Sequence, residues 1–182
     1  MTLIENTERI LLPNGTYIAR CNLVADIGEQ QQYQTKEQQA KNEPLRYAPQ
    51  IVLGWEIFKL DESGKNYLSN CRYNRFFSEK AKLRLHLESW ISIKQSDLPF
   101  NVDTLINKPA QVTSALNERR TWANVVAVTG LPEGVDAPEL TTEPLVYNVG
   151  DKDVYDKLPQ WIQNQIDKSE TVHFQTDEDI PF

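Results

Sequence analysis

The chain has 182 residues, 40% hydrophobic and 25% charged, with a formal net charge of −7, which suits one soluble domain with a sizeable core plus a tail. No apolar run approaches the ~20 residues needed to cross a bilayer, and the start, Met1-Thr2-Leu3-Ile4-Glu5, lacks the basic and apolar regions of a signal peptide. Cys21, Cys71, His86 and His173 offer no metal-ligand spacing, so membrane, secreted and metal-centred classes are set aside and a cytoplasmic protein without cofactor is expected.

The charge is segregated. Residues 1–131 carry 16 Lys and Arg against 14 Asp and Glu, whereas residues 132–182 carry 3 Lys against 12 Asp and Glu. Within the body, Lys65, Arg72, Arg75, Lys80, Lys82 and Arg84 face Glu79 alone. A local basic stretch on an acidic chain fits an anionic ligand held in one place and a separate acidic arm.

An apolar-tipped arm, residues 1–12, leads into the turn signal Pro13-Asn14-Gly15. The alternation predicts a strand over Thr16–Ile27, with Tyr17, Ala19, Cys21, Leu23 and Ala25 on one face, closed by Gly28. Glu29–Pro49 is Gln-rich and reads as a long mobile loop, with a little strand extension at its base. Gln50–Leu60 is the most strand-like stretch: Ile51, Leu53, Trp55 and Ile57 share a face, and Gly54 signals a bend or bulge. Asp61–Gly64 makes a hairpin turn, and Lys65–Phe77 returns as a third strand.

Ser78 reads as a helix N-cap with Glu79 in the first turn, and Leu83, Leu87, Trp90 and Ile91 form one apolar stripe. His86 reads as a partly exposed residue of that helix. Asn101–Asn107 suits a short helical turn. Ala110–Leu116 and Thr121–Leu131 are two further strands, joined around Asn117-Glu118-Arg119-Arg120. Residues 135–150 make a linker in which Leu145-Val146-Tyr147 is the piece able to dock. Asp153–Lys168 forms a short amphipathic helix whose stripe is Leu158, Trp161, Ile162 and Ile166. Packing on the body is the first use of that stripe; a partner or self-association surface, giving a homo-oligomer, is the second.

The expected fold class is therefore mainly β: a five-stranded OB-fold, a Greek-key barrel, with a helix between strands 3 and 4. It is followed by an acidic linker, the short helix and an acidic tail. The domain plan is 1–131 for the barrel, 132–168 for linker and helix, and 169–182 for a disordered partner-binding tail.

No Ser/His/Asp or Cys/His set and no Gly-rich phosphate loop is present, so an enzyme is not expected. Single-strand binders instead need cations along a groove and rings on which bases stack. Arg72, Tyr73, Arg75, Phe76 and Phe77 interleave the two kinds, and Lys80, Lys82 and Arg84 continue the charge. One face of that strand must be core, so either Tyr73 and Phe77 or Phe76 is structural. Arg119 and Arg120 sit in the last hairpin, where they either flank a groove or face solvent. Trp55, Trp90 and Trp122 read first as core, with Trp55 and Trp122 on strands able to face a groove.

The last six residues, Asp177, Glu178, Asp179, Ile180, Pro181 and Phe182, resemble the C-terminal tip of bacterial-type single-stranded DNA-binding proteins. In that family an acidic segment ending in Ile-Pro-Phe recruits replication and repair enzymes. The body is similar to phage-encoded OB-fold single-stranded DNA-binding proteins, loosely, through Gly15-Thr16-Tyr17-Ile18-Ala19-Arg20-Cys21, Ile27-Gly28-Glu29-Gln30, Trp55-Glu56, Tyr73, Ser78-Glu79-Lys80-Ala81-Lys82-Leu83-Arg84, Leu87-Glu88-Ser89-Trp90, Trp122-Ala123-Asn124-Val125 and Leu158-Pro159-Gln160-Trp161-Ile162. The resemblance implies a protein that coats single-stranded DNA in phage replication, recombination or repair in the host cytoplasm. It carries over the six tip residues as the partner site; the DNA contacts rest on charge and aromatics alone. A protein-interaction domain without a nucleic-acid site and an RNA-binding protein stay open as alternatives.

Overall fold

The computed structural model describes residues 10–178. Its axis is β1 (Gly15–Gln31), a strand of 17 residues. Along one edge β1 pairs antiparallel with β2 (Tyr47–Leu60), from Ala19 through Gln31. Along the other it pairs antiparallel with β4 (Pro109–Leu116) as far as Arg20, and then parallel with β6 (Leu145–Tyr147) at Leu23–Ala25. With β3 (Asn66–Asn74) outside β2 and β5 (Ala123–Thr129) outside β4, the order is β3-β2-β1-β4-β5.

The fold is thus mainly β, as expected, with six strands where five were predicted. The sixth is the docked Leu145–Tyr147 segment. The sheet is open: among the described residues no ladder joins β3 to β5. The seam between them is occupied by side chains. Leu12 is buried there, near Leu68 to Asn70 of β3 and Ala123 of β5. His86, on α2 (Lys82–Ile91), reaches Tyr73 of β3 with Nδ1 2.7 Å from the phenol oxygen, and its ring also hydrogen-bonds the Val126 backbone of β5.

A bulge decides which faces the first strand buries. Cys21 pairs with Trp55 but Leu23 with Gly54, so Asn22 is the extra residue and the alternation reverses after it. Ala19, Cys21 and Val24 therefore enter one core, with Ile51, Leu53, Trp55 and Ile57, while Leu23, Ala25 and Ile27 turn to the opposite face. The single face predicted for Tyr17 to Ala25 is corrected accordingly. Gly54 is the residue the bulge requires, since a Cβ there would stand 2.9 Å from that of Leu23.

The first core is covered by α2, whose Leu83, Leu87 and Trp90 are buried as the stripe predicted. The second lies on the outer face, where Leu158, Ile162 and Ile166 of the C-terminal segment cover Leu23, Ala25, Ile27 and Val52. Each such aliphatic side chain contributes about 1.5–3 kcal/mol on burial. Cys21 and Cys71 are buried free thiols.

Four local expectations change. The Glu29–Pro49 loop is largely ordered: the β1–β2 ladder runs out to Gln31 opposite Tyr47, and α1 (Lys36–Ala40) is closed by a capping box of Thr35 and Gln38. The helix expected from Ser78 begins at Lys82 instead, because Ser78–Ala81 closes a turn of its own, Ala81 N–H donating to the Ser78 carbonyl at 2.9 Å. His86 is buried, not partly exposed. Beyond α3 (Lys152–Tyr155), the C-terminal helix α4 spans Gln160–Glu178, so its backbone runs on past the predicted Lys168. Ser169 is buried against Gly28, which continues the packed stripe by one more turn. Of the predicted partner tip, Asp179, Ile180, Pro181 and Phe182 lie outside the described residues, and Asp177 and Glu178 are described only as the backbone end of α4.

Candidate functional site

Strand alternation on β3 sends Ser69, Cys71 and Tyr73 inward and leaves Leu68, Asn70, Arg72 and Asn74 outward. The neighbouring outer face of β1 and β2 is covered by residues 137–147. Arg20 donates to the carbonyls of Ala137 and Pro138 at 2.8 and 2.9 Å, Asn22 donates to Thr142 Oγ1 at 3.2 Å, and the buried Glu56 carboxylate accepts from Thr141 and Thr142. That strap leaves the outer face of β3 as the exposed part of this side of the sheet.

Where β3 ends and α2 begins there is a cleft of about 440 Å³, lined by Arg72, Asn74, Phe76, Lys80 and Lys82 over Gln50 and Tyr73. Among the described residues, three cations and no carboxylate line it. Gln50 Oε1 accepts from Arg72 Nε at 3.3 Å and Nη2 at 2.9 Å, and Gln50 in turn donates to Asn74 Oδ1 at 2.7 Å. Asn74 donates to Gln32 Oε1 at 2.9 Å, so a chain of carboxamides holds the guanidinium in place. Burial depresses the pKa of Arg72, and among the described residues it has no acidic partner. Arg72 is exposed, and a guanidinium held by a carboxamide rather than a carboxylate keeps its charge uncompensated. Lys82 Nζ donates to Cys71 Sγ at 3.1 Å and lies 5.8 Å from the Tyr73 ring, while Lys80 is exposed. Phe76, 49% exposed, supplies an aromatic wall.

The remaining predicted residues divide. Tyr73 and Trp55 are corrected from ligand contacts to core: both are buried, Trp55 against Trp90 at 5.8 Å between ring centroids. Burial also pushes the Tyr73 phenol pKa up. Of the open pair of faces on this stretch, Tyr73 and Phe77 are thus the structural rings, Phe77 packing against the first core, and Phe76 is the surface one. Arg75 sits above the end of β3 but is engaged by Asp26 at 2.7 Å. Arg84 is turned away, held by Glu88 at 2.7 Å, with its guanidinium 5.2 Å from the Phe77 ring. Arg119 and Arg120 are exposed on the β4–β5 turn and do not line the cleft. Trp122, expected in the core, is 44% exposed at the foot of β5, close to Leu68 and Asn70.

Sequence reasoning missed a second cleft, of about 380 Å³, on the other side of Arg72. Tyr47, Gln31, Glu29, Gln165 and Lys168 line it together with Arg72. Tyr47 lies in the Gln-rich stretch whose composition predicts a loop, and Lys168 comes from a helix more than ninety residues after Arg72. A larger cleft of about 620 Å³ at the root of the strap mixes Arg20 and Lys108 with Asp136 and Glu139, so it has no single charge preference.

No helix among the described residues is long and apolar enough to cross a membrane. The chain matches no family model, no curated protein and no solved structure.

Proposed function

We propose that the chain is a non-enzymatic single-stranded DNA-binding protein, with the cleft at the end of β3 as the centre of its DNA site. The observation that carries this reading is the grouping of Arg72, held by Gln50, with Lys80, Lys82 and the exposed Phe76 in a cleft that no carboxylate among the described residues lines. Cations along a groove with a ring for stacking bind single strands with little sequence preference. The order β3-β2-β1-β4-β5 with a helix between β3 and β4 supports an OB-type barrel, its last seam bridged by Leu12 and His86 in place of strand pairing. The resemblance of Asp177–Phe182 to the tip of bacterial single-stranded DNA-binding proteins supports a role in phage replication, recombination or repair. There the tip would recruit partner enzymes.

The test is a titration of intrinsic tryptophan fluorescence with oligo-dT, oligo-rU and duplex DNA across salt, with Trp122 as the surface reporter. Salt-sensitive binding to oligo-dT that falls on Arg72→Ala and on Phe76→Ala is the expected result. Equal binding of duplex, or no response to any of the three, refutes the reading; preference for oligo-rU replaces DNA with RNA.

A further inference from the structure

Among the described residues, Arg72 is the one that lines both clefts. Its Nε and Nη2 are taken by Gln50, which fixes the plane of the guanidinium between the two. Each cleft then repeats the same pair of elements: a half-exposed ring, Phe76 at 49% on one side and Tyr47 at 39% on the other, and an exposed lysine, Lys80 or Lys168. The second cleft also contains Glu29, so its net charge is lower than that of the first.

We infer that the two clefts are one continuous site, in which a single strand passes over Arg72 and is completed by the C-terminal helix α4. This extends the single-strand reading above and rests on it. A phosphate sits on the Arg72 guanidinium, where Gln50 leaves Nη1 available, and the nucleotides on either side place their bases against Phe76 and Tyr47. Lys168 takes the next phosphate along. Gln50 is a positioning residue, since it acts through Arg72. The pairing needs α4 docked, because Gln165 and Lys168 form the wall of the second cleft and Gln165 is tied to β1 through its carbonyl, which accepts from Gln30 Nε2 at 2.8 Å.

The experiment uses the full chain and dT12, with Lys168→Gln and Tyr47→Leu as probes and Lys152→Gln, an exposed lysine on α3 that lines neither cleft, as the charge control. Lys168→Gln is expected to lower the slope of log affinity against log salt by about 0.7, the value for one phosphate contact on a single strand. Tyr47→Leu should weaken binding by about fivefold or more at fixed salt, as the loss of a stacked base does. Lys152→Gln should change neither. If the wild type binds dT12 and loses affinity on Arg72→Ala, while both probes bind with unchanged slope and affinity, the second cleft is not part of the site and the inference fails alone. If the wild type does not bind dT12, the underlying reading fails with it.

Discussion

Replacing Glu56 by glutamine should release the strap that covers β1 and β2. Glu56 is fully buried, and its carboxylate accepts from Asn66 Nδ2 at 2.7 Å, from the N–H groups of Thr141 and Thr142 at 3.0 and 3.1 Å, from Thr142 Oγ1 at 2.9 Å and from Thr141 Oγ1. Burial pushes the carboxyl pKa up, but the hydrogen bonds from Thr141, Asn66 and Thr142 outweigh it and hold the value at about 2, against 4.5 unperturbed. At about 1.4 kcal/mol per pH unit, that depression is worth about 3 kcal/mol of folding stability.

The unfolded chain holds this proton more tightly than the folded one. The contribution is therefore complete above the unfolded value of 4.5 and is lost as pH falls through about 2. Glutamine keeps the shape but turns one acceptor into an NH₂ donor facing other donors, so Glu56→Gln should cost about 3 kcal/mol near neutral pH. By pH 3 about 2 kcal/mol of the wild-type advantage should be gone. Urea unfolding of both proteins at pH 7 and pH 3 measures the gap, and amide hydrogen exchange at Thr141 and Thr142 localises it. A gap that is the same at both pH values, or strap amides as protected in the variant as in the wild type, refutes the latch.

Gly28 holds φ +68° and a Cβ there would fall 2.1 Å from Ser169 Oγ, so Gly28→Ala should lower stability by about 1–3 kcal/mol and raise hydrogen exchange in α4 selectively. The pKa of His86 is depressed, first by burial and then by the Lys82 charge. Above pH 6.5 neither state is protonated; below it the unfolded chain takes the proton first, so stability should fall with pH through that range, and His86→Gln should flatten the dependence seen by thermal unfolding. Leu12, 3% exposed in the β3–β5 seam, should cost about 2–4 kcal/mol when cut to alanine, read from denaturant midpoints. A loss below about 0.5 kcal/mol would mean that the seam does not depend on this side chain.

The order of strands, the helix between the third and fourth, and the apolar stripe of the C-terminal helix were all legible in the sequence, because hydrophobic period is a local property that survives any tertiary context. So was the segregation of charge, and with it the basic stretch from Arg72 to Lys82. What the sequence could not say was which side of each strand faces what. One extra residue at Asn22 reverses the parity of β1, and only the pairing register with Trp55 and Gly54 reveals it. The same uncertainty on the third strand left Tyr73 and Phe76 as rival ligand contacts, and the packing of His86 and Lys82 against Tyr73 assigns that ring to the interior.

Tertiary structure alone also separated the cations. Arg75 and Arg84 meet Asp26 and Glu88 across the fold or one helical turn, whereas Arg72, among the described residues, hydrogen-bonds the Gln50 carboxamide and no carboxylate. Sequence spacing offers no way to tell these arginines apart, since a partner such as Asp26 lies 49 residues away. The second cleft is the extreme case, built from a hairpin arm, a strand and a helix that are neighbours only once the second core has closed. Composition determined that this chain holds a basic stretch and an acidic arm. The burial of two opposite sheet faces decided which of its cations remain available and what they stand beside.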